Sequence, residues 1–374
     1  MMEAMAGIIM ADEPCTHFGV LTEKRSIAAL PMAGRYRLID FAMSNMVNSG
    51  IRNVGVATQY NYSSLMDHLG SGKAWDLNRK NSGLYMLPPF VEKDNLGQIT
   101  GDIDTLYGIF GFIRKTKPDY FVITRASTFY NCTYKKALAF HKKMQSDITI
   151  LYSEEESLDK AELQSYTFLE TDKTGRVTDI MKNHPHPTSK KVTMSTFIIE
   201  RTLLMSLVED CFARGEHNFT MDVLIKKLNT LRIFGYKFDG YVARVNSMNS
   251  YFKSNMDILN TTIRRELFLS KDKIFTKVKD QPPTRYGANA NVTGSLIADG
   301  CIIDGTVENS IVFRGVKIGK GSTIKNSIVM QNSVILENCF AENVVLDKEV
   351  TLLNDKTVMG QPNYPFIIAK HSVV

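Results

Sequence analysis

The residues that could do chemistry are concentrated near the start of the chain. An acidic pair, Asp12 and Glu13, follows the apolar run AGIIMA (6–11). Three basic residues come shortly afterwards, Lys24, Arg25 and Arg37. Clustered lysine and arginine side chains suit a phosphate group, because they donate charge-assisted hydrogen bonds to its oxygens. The basic residues are therefore candidates for an anion site; the alternative is that they are solvated surface cations.

Metal and disulfide chemistry find little support in the sequence. The five cysteines are odd in number, widely scattered and without CxxC spacing: Cys15, Cys132, Cys211, Cys301 and Cys339. This pattern argues against both a zinc site and a disulfide framework. His184 and His186 flank Pro185, but a metal site there would need further ligands, so a loop is the favoured interpretation.

The elements that must position these residues alternate between strand and helix. Apolar periodicity predicts them in the order strand (6–11), helix (36–49), strand (51–58), helix (103–115), strand (120–124), helix (133–145) and strand (147–152). This order predicts an α/β fold with a doubly wound, mostly parallel sheet. Ligands bind outside the carboxyl ends of such strands, so chemistry is expected in the loops after residues 11 and 124.

The sequence changes character after about residue 260. A proline-marked segment, QPPTRYG (281–287), precedes aliphatic residues spaced six apart, such as Val312, Ile318 and Ile324. A six-residue aliphatic period is typical of a hexapeptide-repeat β-helix, although a run of ordinary short strands is the alternative. The predicted domains are therefore an α/β domain over 1–260, a linker over 261–284 and a β-helix over 285–374.

Composition limits the class of protein. A chain of 374 residues with 44% hydrophobic and 22% charged residues is typical of a soluble protein of two domains. The net charge is +6, but no block of like charges indicates a nucleic-acid partner. No apolar run reaches the roughly 18 residues of a membrane span, and the start of the chain is unlike a signal peptide. A cytoplasmic location is expected.

The segment 21–69, LTEKRSIAALPMAGRYRLIDFAMSNMVNSGIRNVGVATQYNYSSLMDHL, resembles the N-terminal region of the glucose-1-phosphate adenylyltransferase (ADP-glucose pyrophosphorylase) family. The resemblance extends over nearly the whole chain. It implies a Rossmann-like, GT-A-like nucleotidyltransferase domain followed by a left-handed parallel β-helix. The family joins glucose 1-phosphate to the adenylyl group of ATP and releases pyrophosphate in bacterial glycogen synthesis. The stretch 64–80 resembles in particular the GlgD-type subunit, the noncatalytic companion of the GlgC-type catalytic chain.

The chain departs from the family in its phosphate-binding loop. Family members carry GGxGxRLxPLT, whose glycines let backbone N–H groups approach the phosphates. The matching stretch here is ADEPCTHFGVLT (11–22). Asp12 and Glu13 replace the two leading glycines, and Cys15 replaces the third. His17 replaces the arginine. Two carboxylates about 4 Å from a phosphate charge would repel it by about 1 kcal/mol each even in water.

Other family positions are also changed. The two aspartates that bind Mg²⁺ in the family are matched by Ser127, in ASTFYNCTY (126–134), and by Arg244, in YVARVNS (241–247). A hydroxyl is a poor Mg²⁺ ligand and a guanidinium repels the ion. Ile27 takes the place of a lysine that contacts substrate phosphate. The resemblance therefore implies no metal and no catalytic residue in this chain, with Mg²⁺ expected only in a catalytic partner.

Some family positions are retained. Lys24, Arg25 and Arg37 match residues that bind a phosphorylated sugar activator in some bacterial members. Asn183, His184 and Asp222 match positions of the sugar-phosphate site and are candidates for a vestigial pocket. The hypothesis is a regulatory, catalytically inactive subunit that assembles with a GlgC-type catalytic subunit, as a heterotetramer by family resemblance. The alternatives are an active nucleotidyltransferase with an altered site, or a stand-alone protein that binds a sugar phosphate or nucleotide.

Overall fold

The computed structural model of the chain describes residues 5–13, 17–80, 82–88, 101–156 and 162–374. The chain forms two compact units, each built from segments that are discontinuous in sequence. The first unit consists of Met1–Glu13, Phe41–Tyr60 and Gly70–Val242, and the second of Pro14–Asp40, Asn61–Leu69 and Ala243–Val374. Within the described ranges, no helix has the length and apolar character needed to cross a membrane.

The first thirteen strands are β1 (Met5–Ala11), β2 (Pro31–Met32), β3 (Tyr36–Arg37), β4 (Asn53–Thr58), β5 (Gly83–Leu87), β6 (Tyr120–Arg125), β7 (Thr128–Phe129), β8 (Ile148–Glu154), β9 (Thr167–Thr171), β10 (Val177–Lys182), β11 (Lys191–Glu200), β12 (Ile233–Lys237) and β13 (Ala243–Arg244). The helices are α1 (Leu38–Asn48), α2 (Ser63–Leu69), α3 (Asp102–Gly108), α4 (Phe110–Lys115), α5 (Lys135–Lys143), α6 (Arg201–Ala213), α7 (Met248–Asp257) and α8 (Thr261–Phe268). A π-helical turn spans Phe219–Ile225.

A nine-stranded sheet forms the centre of the first unit. Its main path runs β10-β9-β11-β6-β1-β4-β5, and β8 pairs with both β11 and β12. Strands β6, β1, β4 and β5 are mutually parallel, whereas β11 is antiparallel to β6. Every residue of β1 is buried, as expected for a parallel strand covered on both faces. The parallel core places the carboxyl ends of β1 and β6 side by side, with Met10 opposite Arg125.

Helix α1 is positioned by its two ends and by one close contact. It begins two residues later than the predicted 36–49 helix, because Tyr36 and Arg37 form β3 and the Arg37 N–H donates to the Asp40 carboxylate at 2.9 Å. It ends before Gly50, which has φ 83°. A Cβ at Gly7 would lie 2.6 Å from the Met46 sulfur, so this glycine lets the helix pack closely on β1.

The single helix predicted over 103–115 is instead two helices. Ile109 adopts non-helical angles, φ −100° and ψ 13°, between α3 and α4. Gly108 and Gly111 flank it, and glycine is a poor helix former, which accounts for the break. The start of α3 places Asp102 near the carboxyl end of β6.

The second unit contains a left-handed parallel β-helix. Its strands are β14 (Arg285–Tyr286), β15 (Asn291–Thr293), β16 (Leu296–Ile297), β17 (Ile302–Ile303), β18 (Thr306–Glu308), β19 (Ile311–Val312), β20 (Lys317–Ile318), β21 (Thr323–Lys325), β22 (Ile328–Val329), β23 (Val334–Ile335), β24 (Phe340–Glu342), β25 (Val344–Leu346), β26 (Thr351–Leu352), β27 (Thr357–Met359) and β28 (Phe366–Ile368). They form three parallel sheets of five strands each, β14-β17-β20-β23-β26, β15-β18-β21-β24-β27 and β16-β19-β22-β25-β28. The predicted hexapeptide fold is therefore confirmed.

Asparagine residues occupy one corner of three successive coils. Asn309, Asn326 and Asn343 have φ of 44°, 44° and 52°, a left-handed conformation that asparagine tolerates. The Asn309 Nδ2 donates to Asn326 Oδ1 at 2.7 Å, across a separation of 17 residues. The registers of β18, β21, β24 and β27 are 17 residues apart, one residue fewer than three hexapeptides, whereas β15 and β18 are 15 residues apart. The sequence period alone does not reveal this.

Candidate functional site

An ion-pair cluster occupies the carboxyl ends of β1 and β6 in the first unit. Arg125, the last residue of β6, pairs with Asp102 and lies 3.6 Å from Glu13 Oε1 and 3.9 Å from Asp12 Oδ1. We call these four residues, together with Ser127, the strand-end cluster. The Ser127 hydroxyl donates to Glu13. Three carboxylates thus surround one guanidinium at the edge of the sheet where ligands of parallel α/β folds bind.

Electrostatics within the strand-end cluster are set by burial and by Arg125. Burial raises the pKa of Glu13 to about 7, although Arg125 and the Ser127 hydrogen bond oppose the rise. Burial also raises the pKa of Asp12, again against Arg125, and Asp12 accepts a 2.6 Å hydrogen bond from Thr105. Burial alone would lower the pKa of Arg125, but the three carboxylates raise it above its ordinary value. The guanidinium is therefore permanently charged and committed to residues of the chain itself.

The residues at the strand ends do not fit Mg²⁺. A guanidinium lies among the carboxylates, where a divalent cation would be repelled, and Ser127 offers only a hydroxyl that is bonded to Glu13. In the part of the chain that the structure describes, no three His, Cys, Asp or Glu side chains gather as a metal site. Arg244 is half-buried in β13 and belongs to the other compact unit.

The remaining loop positions are dispersed. Cys15 lies outside the described residues. His17 is exposed in a turn of the second unit, and Ile27 is buried in a short 3-10 turn of that unit. Neither side chain belongs to the strand-end cluster.

Asp222 is engaged by the backbone rather than directed to a ligand. Its Oδ2 accepts hydrogen bonds from the N–H groups of His217 at 3.2 Å and Asn218 at 2.9 Å, and its Oδ1 pairs with Lys226 at 2.8 Å. These contacts fix the start of the π-helical turn. Asn183 and His184 are exposed in the loop after β10, and Asn183 has φ 55°.

Two cations near the strand ends were missed at the sequence level. Arg125 is one, and Lys182, at the end of β10, is the other. The Lys182 amine is half-buried and donates to Asn218 Oδ1 at 3.0 Å. Burial lowers its pKa, while Asp102 opposes that change and Arg125 reinforces it. The signal for Arg125 was present, because it directly follows the predicted strand 120–124.

A cationic cleft lies in the second unit. It is a small, open cleft with a volume of about 30 Å³. Six basic side chains line it, and we name it by them: Arg35, Arg37, Lys277, Lys279, Arg314 and Lys348. The other lining residues are Pro31, Gly34, Tyr36, His68, Phe313 and Gln331. An excess of positive charge around a small concave surface is suited to an oxyanion.

The structure places the three basic residues predicted from the sequence in different surroundings. Arg37 lines the cationic cleft, and its Nη1 donates to the Ser64 carbonyl at 2.7 Å. Arg25 is buried and forms an ion pair with Asp347 at 2.8 Å. Lys24 is exposed and is not among the lining residues. Five cleft cations come from positions that the sequence did not single out, Arg35, Lys277, Lys279, Arg314 and Lys348.

Hydrogen bonds hold the wall of the cleft that carries Arg37. His68 Nε2 lies 2.5 Å from Asp40 Oδ1, and the other oxygen of Asp40 accepts from the Arg37 N–H. Both Asp40 and His68 are buried. Burial lowers the pKa of His68, although the hydrogen bond to Asp40 opposes the change. The imidazole therefore stays neutral at pH 7 and acts as a hydrogen-bonded support.

Comparisons with known proteins agree with this architecture. A nucleotidyl transferase family model matches residues 6–261, and a model for the GlmU-like C-terminal hexapeptide region matches residues 281–363. The chain is 34% identical over 353 residues to the glycogen biosynthesis protein GlgD of Bacillus subtilis (strain 168), covering 94% of this chain and 91% of that protein.

Catalytic relatives are similar at the same level. Identity to the glucose-1-phosphate adenylyltransferase of Desulforamulus reducens is 34% over 356 residues, 94% of this chain and 88% of that enzyme. Identity to the enzyme of Clostridioides difficile (strain 630) is 33% over 338 residues, 89% of this chain and 87% of that enzyme. The chain therefore belongs to the nucleotidyl transferase family, among the glucose-1-phosphate adenylyltransferases and the GlgD protein.

Proposed function

We propose that this chain is a regulatory, catalytically inactive subunit of an ADP-glucose-forming complex in glycogen synthesis. Its partner would be a GlgC-type catalytic subunit that converts ATP and glucose 1-phosphate to ADP-glucose and pyrophosphate. The observation that carries the proposal is the strand-end cluster, in which Arg125 and three carboxylates stand where a nucleotidyltransferase needs an open, phosphate-binding loop.

Binding of a nucleoside triphosphate at the strand-end cluster would be opposed by charge. The phosphates would approach Asp12, Glu13 and Asp102, and the one nearby guanidinium already pairs with Asp102. Mg²⁺ would not relieve the repulsion, since Arg125 stands among the possible ligands. If one such defect raises the reaction barrier by about 4 kcal/mol, the rate falls roughly a thousandfold. Several defects together leave negligible catalysis.

The cationic cleft supports a role in regulation. Six lysine and arginine side chains converge there, and the residues of the cleft belong to the second unit. We infer that it binds a phosphorylated small molecule. An effector bound here would influence the complex only if its contacts differ between the less and more active states. Couplings of this kind are typically about 1–3 kcal/mol, which changes affinity about 5- to 150-fold.

Assembly with the catalytic chain is the second part of the proposal. The complex would be a cytoplasmic heterotetramer, with Mg²⁺ bound only by the catalytic subunits. Support comes from the similarity over 94% of this chain to both GlgD and a glucose-1-phosphate adenylyltransferase. A chain that keeps the fold but not the chemistry acts through contact with another chain or through a ligand.

The deciding experiment is an ADP-glucose synthesis assay of three samples, with Mg²⁺ in each. These are this chain alone, a catalytic partner alone, and the two after co-purification. We expect negligible turnover by this chain, and a mixture whose rate, substrate affinity or effector response differs from that of the partner. Turnover near 1 per second by this chain alone, an ordinary enzyme rate, would establish the altered-site enzyme instead.

A cleft variant separates regulation from assembly. Arg314→Gln removes a cleft cation, whereas Lys24→Gln removes an exposed cation that does not line the cleft. We expect the first to weaken the response of the mixed complex to a phosphorylated effector and the second to leave it unchanged. Failure of the two chains to co-elute would favour a stand-alone protein that binds a sugar phosphate.

A further inference from the structure

The carboxylate that precedes Lys348 in the chain, Asp347, is already engaged by another cation. Asp347 Oδ2 pairs with Arg25 Nη2 at 2.8 Å, and these side chains are 1% and 5% exposed. Among the described residues, no carboxylate oxygen lies within the 4.0 Å of an ion pair from the Lys348 amine. The amine is half-buried at the wall of a cleft that already carries five other cations.

These surroundings disfavour the charged form of the amine. Burial lowers the pKa of Lys348 to about 7, and Arg37 and Arg25 act in the same direction while Asp347 opposes them. Near pH 7, about half of the molecules carry a neutral Lys348 in the absence of a ligand. A dianion placed in the cleft reverses the balance, since an opposite charge nearby favours the ammonium form.

We propose that an oxyanion bound in the cationic cleft is held together with a proton that Lys348 takes up on binding. This inference rests on the proposed effector site and adds its coupling to pH. Protonation turns the Lys348 amine into a third cation with hydrogen-bond donors, beside Arg37 and Lys279. The Arg25–Asp347 ion pair stays intact. The chemical class of the ligand is a tetrahedral dianion, such as a phosphate ester, and the cleft binds it more tightly as the pH falls.

The direction of the effect follows from linkage. The bound state holds more protons than the free state, so affinity rises with falling pH until Lys348 is protonated in both states. If Lys348 stays protonated in the bound state throughout this range, a free-state pKa of about 7 makes the dissociation constant increase about tenfold from pH 6 to pH 8. At pH 7, binding takes up about half a proton.

Other ionisable groups lie around Lys348 and need their own controls. Burial lowers the pKa of His68, and the His68→Gln variant tests its contribution. Burial also lowers the pKa of Lys279, so Lys279→Arg, which fixes that charge, should retain the wild-type slope. Glu349, next in sequence, pairs with His371 at 2.8 Å and with Lys370 at 3.9 Å. Lys277 donates to Asp67, which carries a lowered pKa and remains ionised.

The test uses inorganic sulfate as the probe, with the full chain. Sulfate keeps its double charge across this range, so any pH dependence belongs to the protein. Titration calorimetry at constant ionic strength, in buffers of different ionisation heat, measures affinity and proton uptake together. We expect about half a proton taken up at pH 7 and about tenfold weaker binding at pH 8 than at pH 6.

Matched variants locate the proton. Lys348→Arg keeps the positive charge but cannot lose it, so it should bind sulfate with little change between pH 6 and pH 8 and with no proton uptake. His371→Gln and His68→Gln should retain the wild-type slope, whatever their effect on affinity. A slope that survives in Lys348→Arg, or that vanishes in a histidine variant, overturns the inference.

The same titrations distinguish this inference from the effector site itself. If sulfate binds the wild type and binding weakens in Arg314→Gln, the cleft is the oxyanion site, and only the pH slope decides the role of Lys348. If sulfate does not bind at any pH, or if it binds the Arg314→Gln variant with the same affinity as the wild type, both the proposed effector site and its proton coupling are refuted. The regulatory role of the chain would then rest on assembly alone.

Discussion

Replacing Glu13 by glutamine should stabilise the first unit, by an amount that depends on pH. Burial raises the pKa of Glu13 from 4.5 to about 7 in the folded protein, against the pull of Arg125. A carboxyl group with a raised folded pKa opposes folding once it ionises, and the cost grows between these two values and is constant above them. At about 1.4 kcal/mol per pH unit, the interval corresponds to roughly 3 kcal/mol at pH 8.

The substitution preserves the local hydrogen bond. Ser127 donates to Oε1 of Glu13, and a glutamine carbonyl oxygen can accept in the same place. Arg125 retains Asp102 and Asp12 as partners. We therefore expect Glu13→Gln to raise the free energy of unfolding by up to about 3 kcal/mol at pH 8 and by almost nothing near pH 4.5.

The single tryptophan provides the assay. Trp75 is 2% exposed, and its indole donates to Ser44 at 3.3 Å within the first unit, so its fluorescence follows the unfolding of that unit. Urea unfolding at pH 5 and pH 8 gives the two free energies. Glu156→Gln is the matched control: its carboxylate is exposed and paired with Lys190, and we expect a change within about 0.5 kcal/mol at both pH values.

Two results would refute the reasoning. A Glu13→Gln protein that is less stable than the wild type at pH 8 would mean that the ionised carboxylate stabilises the strand-end cluster. A gain of equal size at pH 5 and pH 8 would mean that the effect comes from packing and not from ionisation.

The remaining predictions concern the same cluster and the β-helix. Arg125→Met should destabilise the first unit by about 3–5 kcal/mol at pH 8, because it leaves buried carboxylates without their cation, and by less at pH 5; Trp75 fluorescence measures this. Ser127→Asp combined with Arg244→Asp should not restore ADP-glucose synthesis with Mg²⁺, because the acidic loop remains; measurable turnover would contradict it. Asn326→Ala should destabilise the β-helix by about 1 kcal/mol more than Asn326→Gly, since only glycine accepts φ 44° without strain; hydrogen exchange of the coil peptides tests this.

Most of the fold could be predicted from patterns among residues that are close together in the sequence. The buried run at β1, the helix ending at Gly50 and the six-residue aliphatic period each depend on residues close together in sequence. Such patterns can be recognised in a sequence because the periodicity of apolar side chains reflects which face of a helix or strand is buried. The break at Ile109 and the left-handed asparagine corners were not predicted, because single-residue backbone conformations leave only a weak trace in sequence.

The residues that make up the strand-end cluster and the cationic cleft were harder to predict from the sequence. The sequence located the loop after residue 124 and the acidic pair, but it treated Asp12 and Glu13 as free charges. Arg125 changes that interpretation, because its guanidinium neutralises part of the acidic charge. Which side chain faces which is a tertiary property, and spacing along the chain does not determine it.

The cationic cleft illustrates the limit more clearly. Arg37 was recognisable from a family motif, whereas Lys279, Arg314 and Lys348 come from a linker and from two corners of the β-helix. Burial and the surrounding cations lower the pKa of Lys348 to about 7. In our proposal, a bound dianion restores the charge of its amine. In that proposal, the excess positive charge of the free cleft is balanced only when an anion is bound. Ligand binding and the protonation of Lys348 then change together, which is the property that an effector switch needs.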